Sequence, residues 1–249
     1  MRVQVLSDLH MEASASFDIA SCPVDGSTLI LAGDTDKANS VAHILNIASK
    51  RWDHVVVLLG NHECYGTTMP KACELLKAAA DAHPNVHYLN NSAVVIEGQR
   101  IVGSTLWSRP LTRTGLNDFN YIKAHHTYKK LALAAMHEWN GVAIRHLNES
   151  VGKGDIVATH FMPVLRTDLV KAGHKSSYTA CALDSYFGNT GLGLALERAQ
   201  LWVFGHTHEA VRVKIGNCLL LCHPIGYPGE TENARCTAVA TVTPNVGMK

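Results

Sequence analysis

Five apolar runs in this chain each stop at side chains that can bind metals, and this repetition limits the fold more than any other feature. "RVQVLS" (2–7) runs into Asp8 and His10, and "STLILAG" (27–33) into Asp34 and Asp36. "HVVVLLG" (54–60) is followed by Asn61, His62 and Glu63, "DIVAT" (155–159) by His160, and "LWVFG" (201–205) by His206 and His208. Short, almost uninterrupted apolar runs read as strands buried on both faces. In open α/β sheets the ligand crevice lies outside the carboxyl ends of the strands. Five strands would therefore bring carboxylate, imidazole and amide groups to one rim.

The segments between these runs read as helices and hairpins. Apolar spacing predicts helices over 39–50, with Asn39 or Ser40 as N-cap, and over 69–82, with proline in the first turn. A third, long helix fits 127–150, weakened in its middle by Gly141. Strands at 93–97 and 100–104 flank the turn "EGQR", and 209–223 reads as a hairpin turning at Gly216-Asn217. Stretches 105–126 and 161–190 are irregular, and loops of that length in a compact domain commonly serve as lids or binding loops. With no linker, repeat or low-complexity tract, the expectation is one α/β domain over 1–249.

Composition removes several function classes. Lys plus Arg is 22 and Asp plus Glu is 21, a net charge of +1, so the basic footprint of a nucleic-acid or anionic-membrane binder is missing. No apolar run reaches the roughly 18 residues of a membrane span, and "MRVQVLSDLHMEA" is a strand pattern, not a secretory signal. The 7 cysteines sit in contexts such as "NCLLLC" and read as reduced, in keeping with a cytoplasmic protein. Cys218 and Cys222 have no second pair with which to build structural zinc. The outlier is histidine, with 15 residues, the commonest metal ligand.

Spacing favours a shared site. In extended backbone, residues i and i+2 face the same side, which would aim Asp8 with His10 and His206 with His208. Glycines at 33, 60 and 205 permit close backbone approach before each group. Mixed oxygen and nitrogen donors suit Mn, Fe, Co, Ni or Zn and not calcium. Taken singly, each piece also reads as a capped turn or a packed histidine. Their joint occurrence after five strands favours a metal site.

The order D-x-H, G-D, G-N-H-E, H, G-H-x-H over residues 8–208 resembles the signature of the calcineurin-like metallophosphoesterases. Segments 103–123 and 221–230 further resemble small bacterial and phage-type members. The resemblance implies a four-layer α/β/β/α sandwich, with two mixed sheets face to face, helices outside and the metal site at the carboxyl ends of the strands. It implies two divalent ions, manganese first among Mn, Fe, Zn, Ni and Co. Asp8, His10, Asp34 and His208 would hold one, and Asp34, Asn61, His160 and His206 the other. A hydroxide bridging the ions would attack phosphorus, with His62 protonating the leaving group or binding phosphate.

The text "GDTDKAN" departs from the "GDxxDRG" of the protein serine/threonine phosphatases: Asp36 comes one residue early and the arginine is missing. That counts against protein-phosphatase activity and leaves His62 without an assured partner. "GNHE" likewise departs from the "GNRD" of the lipid A precursor hydrolases. The expected substrate is a small phosphorylated molecule, with phosphodiesters such as cyclic nucleotides ahead of monoesters. A nuclease is disfavoured by the charge, and a non-catalytic scaffold by the complete ligand set. Arg109, Arg113, Asn117, Asp118, Tyr121 and Arg166 are candidate substrate contacts. His223 could equally line the site or pack, and the histidines at 125–126 read as surface. Oligomeric state is left open.

Overall fold

The computed structural model describes residues 1–13, 17–113, 115–124, 129–176, 184–230 and 238–243. Two sheets form its centre. The first contains β1 (Arg2–Leu6), β2 (Thr28–Leu31), β3 (His54–Leu58), β4 (Val86–Leu89) and β13 (Val239–Thr241) in the order β13-β1-β2-β3-β4. Its pairs are parallel except the antiparallel pairing of β1 with β13. The second contains β5 (Ser92–Ile96), β6 (Gln99–Ser104), β9 (Ile156–Thr159), β10 (Leu201–Phe204), β11 (Val211–Ile215) and β12 (Cys218–Cys222) in the order β11-β12-β10-β9-β6-β5. There β5/β6 and β11/β12 are antiparallel hairpins and the inner pairs are parallel. A two-residue pair, β7 (Lys123–Ala124) with β8 (Lys129–Lys130), stands apart.

The apolar runs are uninterrupted because both faces of each sheet are covered. Val3, Val5, Ile30, Val56, Leu58, Ile101, Ile156 and Val203 pack in the layer between the sheets. The alternate residues Leu29, Leu31, Val55 and Val57 pack outward among residues of α1 (Ala42–Ser49) and α2 (Met69–Asp81). On the far side, Val157, Trp202, Phe204 and Leu220 pack with residues of α4 (Leu133–Ser150) and α7 (Gly193–Arg198). This is the expected four-layer sandwich of mixed sheets. Short helices α3 (Asp118–Tyr121), α5 (Arg166–Lys171) and α6 (Asp184–Phe187) lie in the two stretches read as irregular.

Several boundaries differ from the sequence reading. Neither Asn39 nor Ser40 caps α1: Val41 takes that position in helical conformation without a side-chain cap, after a turn that carries its N–H to Lys37 O. Pro70 does sit in the first turn of α2, where Thr68 accepts from Lys71 N. The long helix starts at Leu133, later than expected, because 129–130 pair as a strand; residues 125–128 lie outside the described residues. It runs through Gly141 without interruption. The β11/β12 hairpin turns at Gly216-Asn217 as expected, since Ile215 pairs with Cys218. No helix among the described residues is long and apolar enough to cross a membrane.

The sheets approach closely at Gly103 of β6. A Cβ built there would lie 2.4 Å from Leu89 Cβ and 2.9 Å from Leu58 Cδ2 on the opposite sheet. Gly103→Ala is expected to cost about 1–3 kcal/mol through overpacking, read as a lowered midpoint in chemical denaturation. An unchanged midpoint would mean that the inter-sheet layer accommodates the methyl.

Candidate metal centre

The candidate ligands sit where strands give way to tight turns. Asp8, His10, Asp34, His206 and His208 all adopt left-handed backbone, with φ of 54°, 45°, 51°, 68° and 49°. The expected extended i, i+2 geometry is therefore not what aims the two pairs; each residue is turned individually. Left-handed backbone costs an L-residue roughly 1–2 kcal/mol, and such strain persists where surrounding structure imposes it. Here the strand ends interlock: Asp8 N donates to Gly33 O (3.1 Å) and His10 N to Asp34 O (3.0 Å). The preceding glycines make room for this. A Cβ at Gly33 would come within 2.4 Å of His160 Nδ1, at Gly60 within 2.1 Å of Asp34 Oδ1, and at Gly205 within 2.8 Å of Asp8 Oδ2.

Asp8, His10 and His208 form one cluster and Asp34, His160 and His206 another, the possible ligand atoms in each lying within 4.8 Å of one another. Asp34 Oδ2 lies between them, 3.8 Å from His10 Nε2 and 3.4 Å from His160 Nε2. Asn61 Oδ1 joins the second cluster, 3.0 Å from His160 Nε2. The nitrogens His10 Nε2 and His208 Nε2 face each other at 2.9 Å, and His206 Nε2 is buried with no hydrogen-bond partner among the described residues. Leaving a buried polar atom unsatisfied is costly. Imidazole and carboxylate donors converging around such an atom fit a divalent ion of the Mn-to-Zn series. His62 also falls within reach of His10 and Asp34, but both of its ring nitrogens have partners. Nδ1 lies 2.7 Å from Glu12 Oε1, and Nε2 3.1 Å from Tyr227 Oη.

A further ring of side chains fixes these groups; the sequence reading named Glu63 after its strand and Asp118 as a substrate contact, and missed Glu12 and Glu230. Glu12 contacts both His10 Nδ1 (3.1 Å) and His62 Nδ1, and so provides the partner that Asp36 does not. Glu230 contacts His208 Nδ1. The Glu63 carboxylate accepts the backbone N–H groups of Asp34, Thr35 and Gly60, locking two strand ends together. Asp118 accepts from Asn61 Nδ2, Tyr65 Oη and Tyr186 Oη, and thereby turns the Asn61 oxygen towards His160.

The buried charges are strongly coupled. Burial alone would raise the Asp34 carboxyl, but His160 and His62 hold it well below the usual range. Burial and the neighbouring Asp34 charge push Glu63 up to about 7. Burial works against protonation of His62 and His160, yet Asp34 together with Glu12 and Glu63 beside His62, and Asp34 with Asp8 and the Ala32 carbonyl beside His160, outweigh it and raise them to about 9 and about 10. Burial and repulsion from His160 keep His206 neutral. Divalent ions bound here would displace the proton on His160, a candidate ligand, so metal binding and pH are linked.

A cavity of about 560 Å³ opens over Asp34, Asn61, His62, His206 and His208, walled by Tyr65, Leu116, Tyr186, Phe187 and Tyr227. Of the candidate substrate contacts, Asn117 and Arg166 line it. Arg166 is 5% exposed and paired with Glu209 at 3.0 Å. Asp118 is buried behind Asn61 instead of facing the cavity, and Arg109 and Tyr121 are exposed away from its lining. Arg113 lies over the Phe119 ring. His223 borders a separate, smaller depression with Arg212 and Val239.

The family model of calcineurin-like phosphoesterases matches residues 1–210. An uncharacterized protein of Acanthamoeba polyphaga mimivirus is 25% identical over 94% of this chain and 94% of its own. Among solved structures, the phosphopantetheinyl hydrolase of Mycobacterium tuberculosis superposes with a TM-score of 0.76 at 18% identity, covering 99% of this chain and 98% of its own. At that identity the likeness concerns the fold.

Two measurements probe the outer ring. Asp118→Asn, which removes one acceptor oxygen and frees the Asn61 amide to turn, is expected to weaken metal binding about 10–100-fold by calorimetry; unchanged affinity would mean that Asn61 needs no such support. For Glu12, burial raises the pKa, but hydrogen bonds from His10 and His62 prevail and lower it from 4.5 to about 2. A depressed carboxylate contributes its stability above the unfolded value and loses it as pH falls through the folded one. In chelator-stripped protein, the urea midpoints of wild type and Glu12→Gln should therefore converge as pH drops from 4.5 towards 2. A gap that does not change with pH would assign Glu12 a packing role alone.

Proposed function

The chain belongs to the calcineurin-like phosphoesterase family, and on that premise we propose that it hydrolyses small phosphodiesters, cyclic nucleotides among them, at a centre of two divalent ions. The observation that carries the reading is Asp34, whose carboxylate stands between two donor clusters. Asp8, His10, Asp34 and His208 would hold one ion, and Asp34, Asn61, His160 and His206 the other. When bound, such ions supply positive charge to the phosphoryl oxygens and make the attacking water more acidic. Manganese is the first ion to supply. The five free cysteines among the described residues support a reducing, cytoplasmic setting.

The protein's own groups do the rest. His62 faces the cavity with its Nδ1 fixed by Glu12, and a proton carried on Nε2 would serve the leaving group there. A positioned acid of this kind contributes about 10²–10⁴-fold when the leaving group needs a proton. The turn after β3 orients Asp34, since His62 N donates to Asp34 Oδ1. The walls favour a diester. Tyr65, Leu116, Tyr186, Phe187 and Tyr227 are aromatic or apolar, and Arg166 is already engaged by Glu209. A monoester dianion would call for more cationic donors than the described residues of the cavity present. A monoesterase acting on nucleotides or small metabolites is the alternative, and the fold likeness to a phosphopantetheinyl hydrolase keeps other small phosphorylated groups among the substrates to screen.

The test is hydrolysis of bis-p-nitrophenyl phosphate beside p-nitrophenyl phosphate, with chelator and with added manganese. Manganese-dependent turnover favouring the diester is expected, and a preference for the monoester would transfer the assignment to the alternative. Asp34→Asn should abolish metal-dependent turnover while the circular dichroism spectrum is kept; retained turnover would overturn the shared-carboxylate centre.

A further inference from the structure

We propose that Tyr227 is a further catalytic residue, whose hydroxyl meets the leaving oxygen and passes to it the proton held on His62. The proposal rests on the phosphoesterase reading above, with His62 as the proton source. Its starting point is the segment 221–230, which lies beyond residue 210, where the family match ends, yet supplies two side chains to the centre.

The loop is built onto the end of β1. Ser7 N donates to His223 O (3.1 Å), Ile225 N to Ser7 O (3.0 Å) and Gly226 N to Asp8 O (2.9 Å). These bonds carry the chain past the first candidate ligand, and Gly226, at φ 74°, turns it over the cavity. Tyr227 then stacks on His10, with ring centroids 4.3 Å apart and planes inclined by 26°. Its own backbone is held in a closed turn, Tyr227 N donating to the Glu230 carboxylate (2.9 Å) and Glu230 N to Tyr227 O (3.0 Å). The same carboxylate contacts His208 Nδ1. Pinned at both ends and along one face, the phenol has little freedom to be elsewhere.

What it faces is the informative part. His62 has two ring nitrogens, and Nδ1 is taken by Glu12 at 2.7 Å. The other, Nε2, lies 3.1 Å from Tyr227 Oη, within the 2.6–3.2 Å or so over which a proton is handed between groups. Both residues line the cavity. A proton leaving Nε2 therefore meets the phenol oxygen first. As the oxygen of the attacking water bonds to phosphorus and the ester P–O bond breaks, the leaving oxygen takes the phenolic proton. The Tyr227 oxygen takes the proton from Nε2, leaving His62 neutral. The proton shed by the attacking water goes to solvent, from which His62 is recharged. Tyr227 begins and ends as a phenol.

The relay matters only when the leaving group needs a proton, and that separates it from a structural role. Methyl phenyl phosphate expels a phenolate basic enough to require protonation, whereas methyl p-nitrophenyl phosphate does not. Tyr227→Phe, which keeps the ring on His10, should lower kcat on the phenyl ester by about 10²-fold and on the p-nitrophenyl ester by no more than about threefold. Metal content should be unchanged. Equal losses on both esters, or none, would overturn the proposal. His62→Asn run in parallel separates the two readings: selective loss in His62→Asn but not in Tyr227→Phe sinks the relay alone, while no selectivity in His62→Asn sinks the proton-donor reading beneath it. Should the phenylalanine variant not fold, a proton inventory on the wild-type enzyme with the phenyl ester serves instead. A bowed plot, with two protons in flight, supports the relay, and a linear one overturns it.

Discussion

Asp34 sets the terms for the rest of the molecule. It is a carboxylate 1% exposed at the end of β2, and an isolated buried charge of that kind is untenable without compensation. Compensation comes from every side: His62 N at 2.8 Å, and the imidazoles of His160 and His10 at 3.4 and 3.8 Å. Its own backbone is held from both directions, the N–H by Glu63 and the carbonyl by His10 N. Glu63 illustrates the cost. Placed beside an ionised Asp34 in a buried position, it is pushed towards neutrality, and it persists because it accepts three backbone N–H groups from two strand ends. A sheet end so loaded with charge is stable only if cations share it, whether protons or metal ions.

The same demand accounts for the left-handed backbone at five of the seven candidate ligands. Extended strands would send alternate side chains to opposite faces and could not gather donors from two different sheets at one point. A left-handed residue directly after the strand folds the side chain back over the sheet ends. The strain is then carried by the hydrogen bonds between neighbouring strand termini. Function and local conformational preference are in conflict here, and the surrounding pairing decides the outcome.

Much of this was legible in one dimension. The inner strands announce themselves because both faces are buried, and the donor residues lie immediately after them, so order along the chain maps onto position along the rim. Helix α2 was legible from Pro70 and its apolar spacing. What escaped had weaker local signals. Strand β4 reads "VHYL", with His87 and Tyr88 half-buried at the sheet edge, so it shows no apolar run. Strand β13 has three residues and owes its existence to pairing with β1. Of the two i, i+2 pairs, Asp8 and His10 fall in one cluster while His206 and His208 fall in different ones, and none of the four is in extended backbone. The supporting groups were the least legible of all: Glu12 meets His62 across 50 residues, and Tyr227 meets it across 165. No spacing rule connects such pairs; only the closed fold does.

Asp118 shows how the cavity walls and the candidate ligands are coupled. It stands on α3, inside the stretch 105–126, and its acceptors are shared among Asn61, Tyr65 and Tyr186. Tyr186 belongs to α6, in the other long irregular stretch. The two stretches are joined again beneath the cavity, where Asn140 donates to Trp107 O and Asn189 Oδ1, and Asn189 donates to Leu106 O and Met162 O. Both loops that wall the cavity are therefore tied to the amide that would complete the second ligand set. Buried networks of this sort are satisfied as a whole or not at all. A change in loop sequence that alters the cavity must keep the three donors on Asp118, or Asn61 loses its orientation. Substitutions in these loops can reshape the cavity only along directions that leave this carboxylate in place.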